Sequence, residues 1–430
     1  MNTSAFRVSH FLCMLLAAFS LQTHAAKVGP FFVNQITDAP DADLGDKDCD
    51  ITANNLHICT LRAAVMQANS IPVDADNPII SIYLKPDVTY ELTIAGSTEQ
   101  NGITGDLDIR RPVYIGLAEP ADARASVVAS NIDDRVFHIH PNAGGTILSR
   151  LDISGGDTTA TNTAGSAIYV NADNVSLINL DVHDNIETSI TSNAKNLLIY
   201  ETRIHDTTSA GGAVAINTGS SVSVIRSTID WNGTDYNVIS NGELLLDNST
   251  VSTKPGGGSI ALFLGDAASS HIISSTIVSS DDVQAIHFGG NNVTSIENAI
   301  IDAPNHSACV FASGEHQFES QYNIFSDSTC KKNGPYDVTN LYDTRPRLSP
   351  LGYWGGDTPT HRPQTNSPAI DRTNLQQACT NDFDAGRGSM DQRGRNRDAN
   401  RTKSVNPYTC DTGAVELETD VIFFSEMEEL

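Results

Sequence analysis

The chain reads as all-β: a right-handed, single-stranded parallel β-helix (a solenoid) with one short N-terminal capping α-helix. Three observations predict this. A β-prone ladder recurs six times, at Val175–Asn185, Leu197–Thr207, Val222–Asn232, Leu244–Lys254, His271–Asp281 and Thr294–Pro304. Aligning the ladders puts Val182, Ile204, Ile229, Val251, Ile277 and Ile300 in one column, at successive offsets of 22, 25, 22, 26 and 23. A period of that size marks stacked supersecondary units, each too small to bury its own apolar face. The ladders are rich in Val, Ile, Leu, Ser, Thr and Asn, with no helical periodicity of useful length between them. That is the composition of strands bounded by Asn, Asp and Gly turns.

Each element follows in order. Arg7 and His10 precede the apolar run Phe11–Leu21, then small residues at Thr23, Ala25 and Ala26. This predicts a signal peptide over 1–25, cut near Ala25 or Ala26, in a run too short to span a bilayer. An N-terminal cap is expected over 26–78. Within it, Leu61, Ala64, Val65 and Ala68 follow the i, i+3, i+4, i+7 pattern of a helix with Thr60 as N-cap. Such a helix would cover the apolar cross-section of the first rung. Strands are expected at Phe31–Gln35, Ile79–Leu84, Thr89–Thr93, Leu107–Ile109, Val113–Ile115, Val136–Ile139 and Ile147–Ile153. With the ladders they make a β-helix over 79–345, of roughly ten to twelve rungs and ~50 Å length. The periodicity stops there. A closing region over 346–417, with a final strand at Gly413–Leu417, and an acidic tail over 418–430 complete the chain.

The net charge of −26 falls by one, to −27, when the leader takes Arg7 with it. Such a surface repels nucleic acid, anionic lipid and acidic polymers, so neither nucleic acid nor a membrane span is expected. Six cysteines remain in the mature chain, an even count that in an exported protein predicts disulfides. Sequence neighbours favour Cys49–Cys59, Cys309–Cys330 and Cys379–Cys410.

Two terminal segments carry a resemblance. Cys59-Thr-Leu-Arg-Ala-Ala-Val65, followed by Ala68-Asn69, resembles the CSLREA motif of exported, mostly bacterial proteins, with Thr60, Ala63 and Val65 as departures. Ser367-Pro-Ala-Ile-Asp371, Asp391-Gln-Arg-Gly394, Arg397 and Cys410-Asp-Thr-Gly-Ala-Val-Glu416 resemble the choice-of-anchor Q domain. The resemblance implies a pectate-lyase-like β-helix, secretion or surface location, and no single enzymatic activity. Motifs at the ends of elements read as structural, with Cys59 and Arg62 stapling and salt-bridging the cap, and Arg393 and Asp411 fixing closing loops pinned by Cys379–Cys410.

Candidate chemistry sits beside the apolar column. His183, His205 and Asp230 follow it by one position, and Asp184, Asp206 and Trp231 by two. On adjacent rungs, Asp184 and Asp206 would come within the roughly 5–9.5 Å that glycosidase carboxylates require, and Trp231 would stack a sugar ring. The competing reading makes these three turn residues, repeated because the turn repeats. Between 151 and 300 the cations are Lys195, Arg203, Arg226 and Lys254, unclustered, so a uronate polymer would need bound Ca²⁺. Asp41, Asp43, Asp46 and Asp48 offer a Ca²⁺ loop outside the EF-hand spacing; no other cofactor is expected. The favoured expectation is an exported monomer that binds a polysaccharide or cell-surface ligand along its long face without catalysis. The alternative is a polysaccharide hydrolase or Ca²⁺-dependent lyase acting through Asp184 and Asp206.

Overall fold

The computed structural model describes residues 27–417 apart from 53, 55, 98, 120–121, 209–210, 267, 280–282, 313–315, 333–336, 374–389 and 398–408. The expected leader, the acidic tail and Cys379 lie outside the described residues.

Each coil of the chain gives one strand to each of three parallel sheets. One full coil runs through Ser221–Ile225 on the first face, Thr228–Asp230 on the second and Tyr236–Ser240 on the third, then returns to the first at Glu243–Asp247. Among the described residues the faces hold eleven, ten and nine strands respectively. Strands alternate: in Ser221–Ile225, Val222 and Val224 point inward and are buried, while Ser221, Ser223 and Ile225 are partly exposed. The inward rows merge into one continuous core from Phe31 to Cys330.

Val182, Ile204, Ile229, Val251 and Ile277 stack in register, but the next member is Ile301, not Ile300. A one-residue slip turns a side chain to the opposite face of a strand. Two adjacent isoleucines hide that slip, and Ile300 is apolar for another reason: it packs with Ile324 and Ala369 under a C-terminal covering layer.

Corners explain the polar content of the ladders. Between the first and second faces, Asn179, Glu201, Arg226, Asn248, Ser274 and Asn298 have φ between 45° and 54°. This left-handed conformation costs a non-glycine residue about 1–2 kcal/mol. The next residue turns inward and answers backbone groups that the bend strands. The hydroxyls of Ser227, Ser249 and Ser275 accept from the N–H of Thr202, Ser227 and Ser249, each at 3.1 Å. Each also donates to the carbonyl two residues back, at 2.8 Å. The same corner, at Arg150 (φ 56°), divides the expected strand 147–153 into Ile147–Ser149 and Leu151–Ser154.

The helix Leu61–Ser70 is capped by Thr60, whose hydroxyl accepts from Ala63 N–H at 3.1 Å. It packs on Ile80–Leu84 and Leu107–Ile109, closing the first rung. Arg62, Ala63 and Gln67 are buried as well as its apolar stripe, because the preceding loop covers the outer side. Arg62 spends every N–H. Nε and Nη2 bind the two Asp38 oxygens at 2.6 and 3.0 Å, and the remaining protons go to the carbonyls of Gly102, Gly105 and Asp106. Asp38 in turn accepts from Thr93 and Ile94 N–H. Arg62 therefore ties the cap to the first rung.

Cys49 is bonded to Cys59 and Cys309 to Cys330, with Cα separations of 5.1 and 5.0 Å. Cys410 is buried and disulfide-bonded; its expected partner Cys379 lies outside the described residues.

The C-terminal region runs back along the second face instead of stopping at the last rung. Gln392 is its latch: Nε2 donates to Thr228 Oγ1 at 2.8 Å and Thr358 Oγ1 at 3.0 Å, and Oε1 accepts from Thr250 at 2.6 Å. His361 meets Ser252 at 3.0 Å, Ala414 N–H reaches Thr276 at 3.0 Å, and Arg397 grips Asn248 at 2.7 Å. Asp371 N–H donates to Asp411, and Glu416 accepts from Asp411 N–H, so the separate parts of the C-terminal motif bind each other. Gly413–Leu417 is not the expected strand but a buried irregular segment: its backbone bonds go to Asn298, Thr276 and carboxylates rather than to a sheet neighbour.

Candidate functional site

The covering layer leaves the earlier rungs of the second face open, and a cluster of histidine–aspartate pairs occupies them. Strands Asp181–His183 and Arg203–His205 pair in register, so His183 lies over His205 with ring centroids 5.3 Å apart. Each histidine is held between two aspartates. His183 Nε2 meets Asp152 at 3.1 Å and Nδ1 meets Asp184 at 2.8 Å; His205 Nε2 meets Asp181 at 2.9 Å and Nδ1 meets Asp206 at 2.7 Å. The Asp152 bond is the main cause that pushes the His183 pKa up to about 9. Burial works against charge on His205, but its two aspartates outweigh this and raise it as well. Arg203 binds Asp230 through two bonds, at 2.9 and 2.7 Å, and reaches the exposed ring of Tyr353. Asn179 Nδ2 donates to Asp357 at 3.2 Å, so the covering layer borders the cluster.

Asp184, Asp206 and Trp231 occupy equivalent corner positions on successive rungs, with φ of 50°, 50° and 52°. The structure brings them together as the sequence spacing implies. It also turns Asp184 and Asp206 each onto its own histidine, and Trp231 is partly exposed at the rim. The residue after each corner points inward: Asn232 Oδ1 accepts from Thr207 N–H at 2.9 Å, and Asn185 Oδ1 from Gly156 N–H at 2.9 Å. Asp152, Asp181 and Tyr353 do not emerge from the ladder alignment alone. Asp152 and Asp181 pair with each other on neighbouring second-face strands, and Asp181 with Arg203 on the next, a signal visible only once the rungs are in register.

A second feature lies on the first face. A groove of about 680 Å³ crosses four rungs, centred on the outward column Leu198, Ser223, Leu245 and His271, which pair in register. Ser221, Glu243 and Ser269 form one flank, and Ile225 and Ile273 the other. Among the described residues no Lys or Arg lines it.

The acidic loop near the N-terminus spends its carboxylates locally. Asp41 accepts from Asp43 N–H, Asp43 from Gly45 N–H and Asp46 from Asp48 N–H, each at 2.9 Å, and Asp48 pairs with His57 at 2.5 Å. These four are absent from the converging groups of three ligand-type side chains among the described residues.

The architecture is similar to that of solved structures. The pectate lyase Pel9A matches at 12% identity and a TM-score of 0.51, over 91% of this chain and 98% of that one. The fold is that of the pectate-lyase-like β-helices. The AlgE6 A-module, a mannuronan C-5 epimerase of Azotobacter vinelandii, matches at 12% identity and a TM-score of 0.33, over 61% of this chain and 89% of that one. ORF18 of Geobacillus virus E2 matches at 12% identity and a TM-score of 0.38; the match covers 60% of this chain and 56% of the viral one, little more than half its length. No family model and no curated protein matches. At such identities the likeness speaks for the fold alone.

Proposed function

We propose that this chain is an exported, non-catalytic β-helix that binds a neutral, extended polysaccharide in the first-face groove. The groove carries the proposal. Its outward column repeats every ~4.8 Å, close to the repeat of a pyranose in an extended glycan. It mixes apolar side chains with hydroxyls, and the absence of cations beside Glu243 disfavours uronates. The leader expected over 1–25 and the disulfides fit an oxidising, extracellular setting. Among the described residues no helix is long and apolar enough to cross a membrane.

A second reading, a polysaccharide-acting enzyme, rests on the stacked His183 and His205, with Arg203 reaching the exposed ring of Tyr353. Against it, each of the candidate acids Asp184 and Asp206 is bonded to its own histidine. The mature protein incubated with neutral and acidic polysaccharides, with and without Ca²⁺, tests both. Retention on a neutral polymer, lost in Leu245→Asp and kept in Asp184→Asn, with no new reducing ends or unsaturated uronates, supports binding. Turnover abolished by Asp184→Asn or Asp206→Asn overturns it.

A further inference from the structure

A third cluster lies at the start of the β-helix, away from both features. Strands Leu107–Ile109 and Phe137–Ile139 pair on the third face, with Asp108 opposite His138. His140 follows two residues on, so both rings rise from one side of the chain. Their centroids are 3.7 Å apart. Asp108 is fully buried, and its Oδ2 accepts from Gly102 N–H at 2.9 Å, which aims Oδ1 at the two rings. His140 Nε2 lies 2.5 Å from that oxygen. His138 Nδ1 lies 3.4 Å from it and has no hydrogen-bond partner, although the side chain is only 9% exposed. One atom from each of the three side chains lies within 4.8 Å of the others.

We propose that Asp108, His138 and His140 bind a first-row divalent transition-metal ion, with Zn²⁺ the best match. Two imidazoles and one carboxylate suit Zn²⁺, which takes three protein ligands and leaves a fourth position open. Ca²⁺ would need six to eight oxygen ligands, and the cluster offers a single carboxylate. Asp106 and Asp134 are buried beside the site and share one guanidinium, that of Arg135, at 3.0 and 3.6 Å. These neighbouring charges largely cancel, and burial raises the pKa of both carboxyls, so selectivity rests on the ligand set. The ion would enter between His140 and Asp108, replacing their direct bond as the partly exposed His140 ring swings outward. The orphaned His138 Nδ1 then becomes a ligand. Its Nε2 faces the amide of Asn171 at 3.0 Å. Metal on Nδ1 requires a proton on Nε2, so Asn171 must turn its amide oxygen inward, fixing the ring from the outer shell. Asn193 donates to Asn171 Oδ1 at 2.8 Å, and Asn217 to Asn193 at 2.6 Å. The turn therefore passes along a row of surface amides.

Untagged mature protein, stripped with chelator, is dialysed against Zn²⁺ and, separately, Ca²⁺. The expected result is one Zn²⁺ per chain, with affinity lowered at least ~100-fold, beyond the usual outer-shell effect, in His138→Asn/His140→Asn of unchanged circular dichroism. Folded wild-type protein that retains no Zn²⁺ overturns the proposal, as does a folded variant that binds as tightly. If the variant does not fold, Co²⁺-loaded wild-type protein decides. Four-coordinate visible bands with paramagnetic broadening of Gly102, His138 and His140 support the site, and broadening centred elsewhere refutes it.

Discussion

Replacing Arg62 by Met tests whether the motif at the start of the chain is structural. The side chain is completely buried and donates five hydrogen bonds, two to Asp38 and three to the carbonyls of Gly102, Gly105 and Asp106. Met fills the volume but leaves a buried carboxylate without its cation and three carbonyls without a donor. Breaking a buried pair in this way costs about 3–5 kcal/mol. Asp38 keeps its bonds from Thr93 and Ile94 N–H, at 2.7 and 3.0 Å, which holds the loss within that range. Adding Asp38→Asn removes the stranded charge and should recover about 1–2 kcal/mol. Because solenoid rungs stabilise mainly their neighbours, the damage should be local. Urea unfolding gives the total, and amide exchange gives the place: faster in Leu61–Ser70 and at Thr93 and Ile94, unchanged from Leu197 to Asp302. A loss below about 1 kcal/mol, against the buried-pair expectation, or exchange quickened evenly along the chain, would refute the reasoning.

Three other outcomes are expected. His183 titrates near 9 when folded against an ordinary 6.5, so the folded state holds its proton longer. Its contribution is complete below about pH 6.5 and is lost as pH rises through about 9. The gap corresponds to at most about 3 kcal/mol, reduced to about 1–2 kcal/mol by solvent screening of a partly exposed ring. The melting temperature of His183→Gln should therefore fall less than that of wild type between about pH 6 and 10, and equal slopes, or an NMR titration at or below 6.5, would contradict this. Ser227→Ala strands Thr202 N–H in the corner and should cost about 1–3 kcal/mol in denaturant unfolding; a neutral result would show that another group answers it. Gly413 has φ +99°, and a Cβ there would lie 2.7 Å from Ile300 Cδ1. Gly413→Ala should cost about 1–3 kcal/mol and speed proteolytic release of the C-terminal layer, and unchanged proteolysis would place the latch elsewhere.

Much was legible in the sequence because a solenoid writes its fold as a period. Each rung meets equivalent neighbours, so the same chemical demand recurs every 22 to 26 residues. The ladders and the co-location of Asp184, Asp206 and Trp231 at one corner of successive rungs follow from that period, whereas the capped helix over Leu61–Ser70 follows from its own apolar spacing and Thr60. Register within a rung was less legible. Ile300 and Ile301 are equally apolar, and the choice between them depends on what covers the outer face. The alignment also says nothing of what one rung offers the next. Asp108 reaches His138 across 30 residues, and Asp152 reaches His183 across 31, only after the faces are stacked.

By itself, then, the sequence determined a β-helix, its capping helix and its corner residues, because these depend on local conformation and on one buried side of a strand. Tertiary structure alone decided that the C-terminal region folds back over the second face, leaving open the His183–His205 cluster and the first-face groove, and that Asp108, His138 and His140 converge. The physical reason is that the covering layer has no period. Its place is set by individual long-range bonds, such as those of Gln392 to Thr228 and Arg397 to Asn248, which no repeat announces.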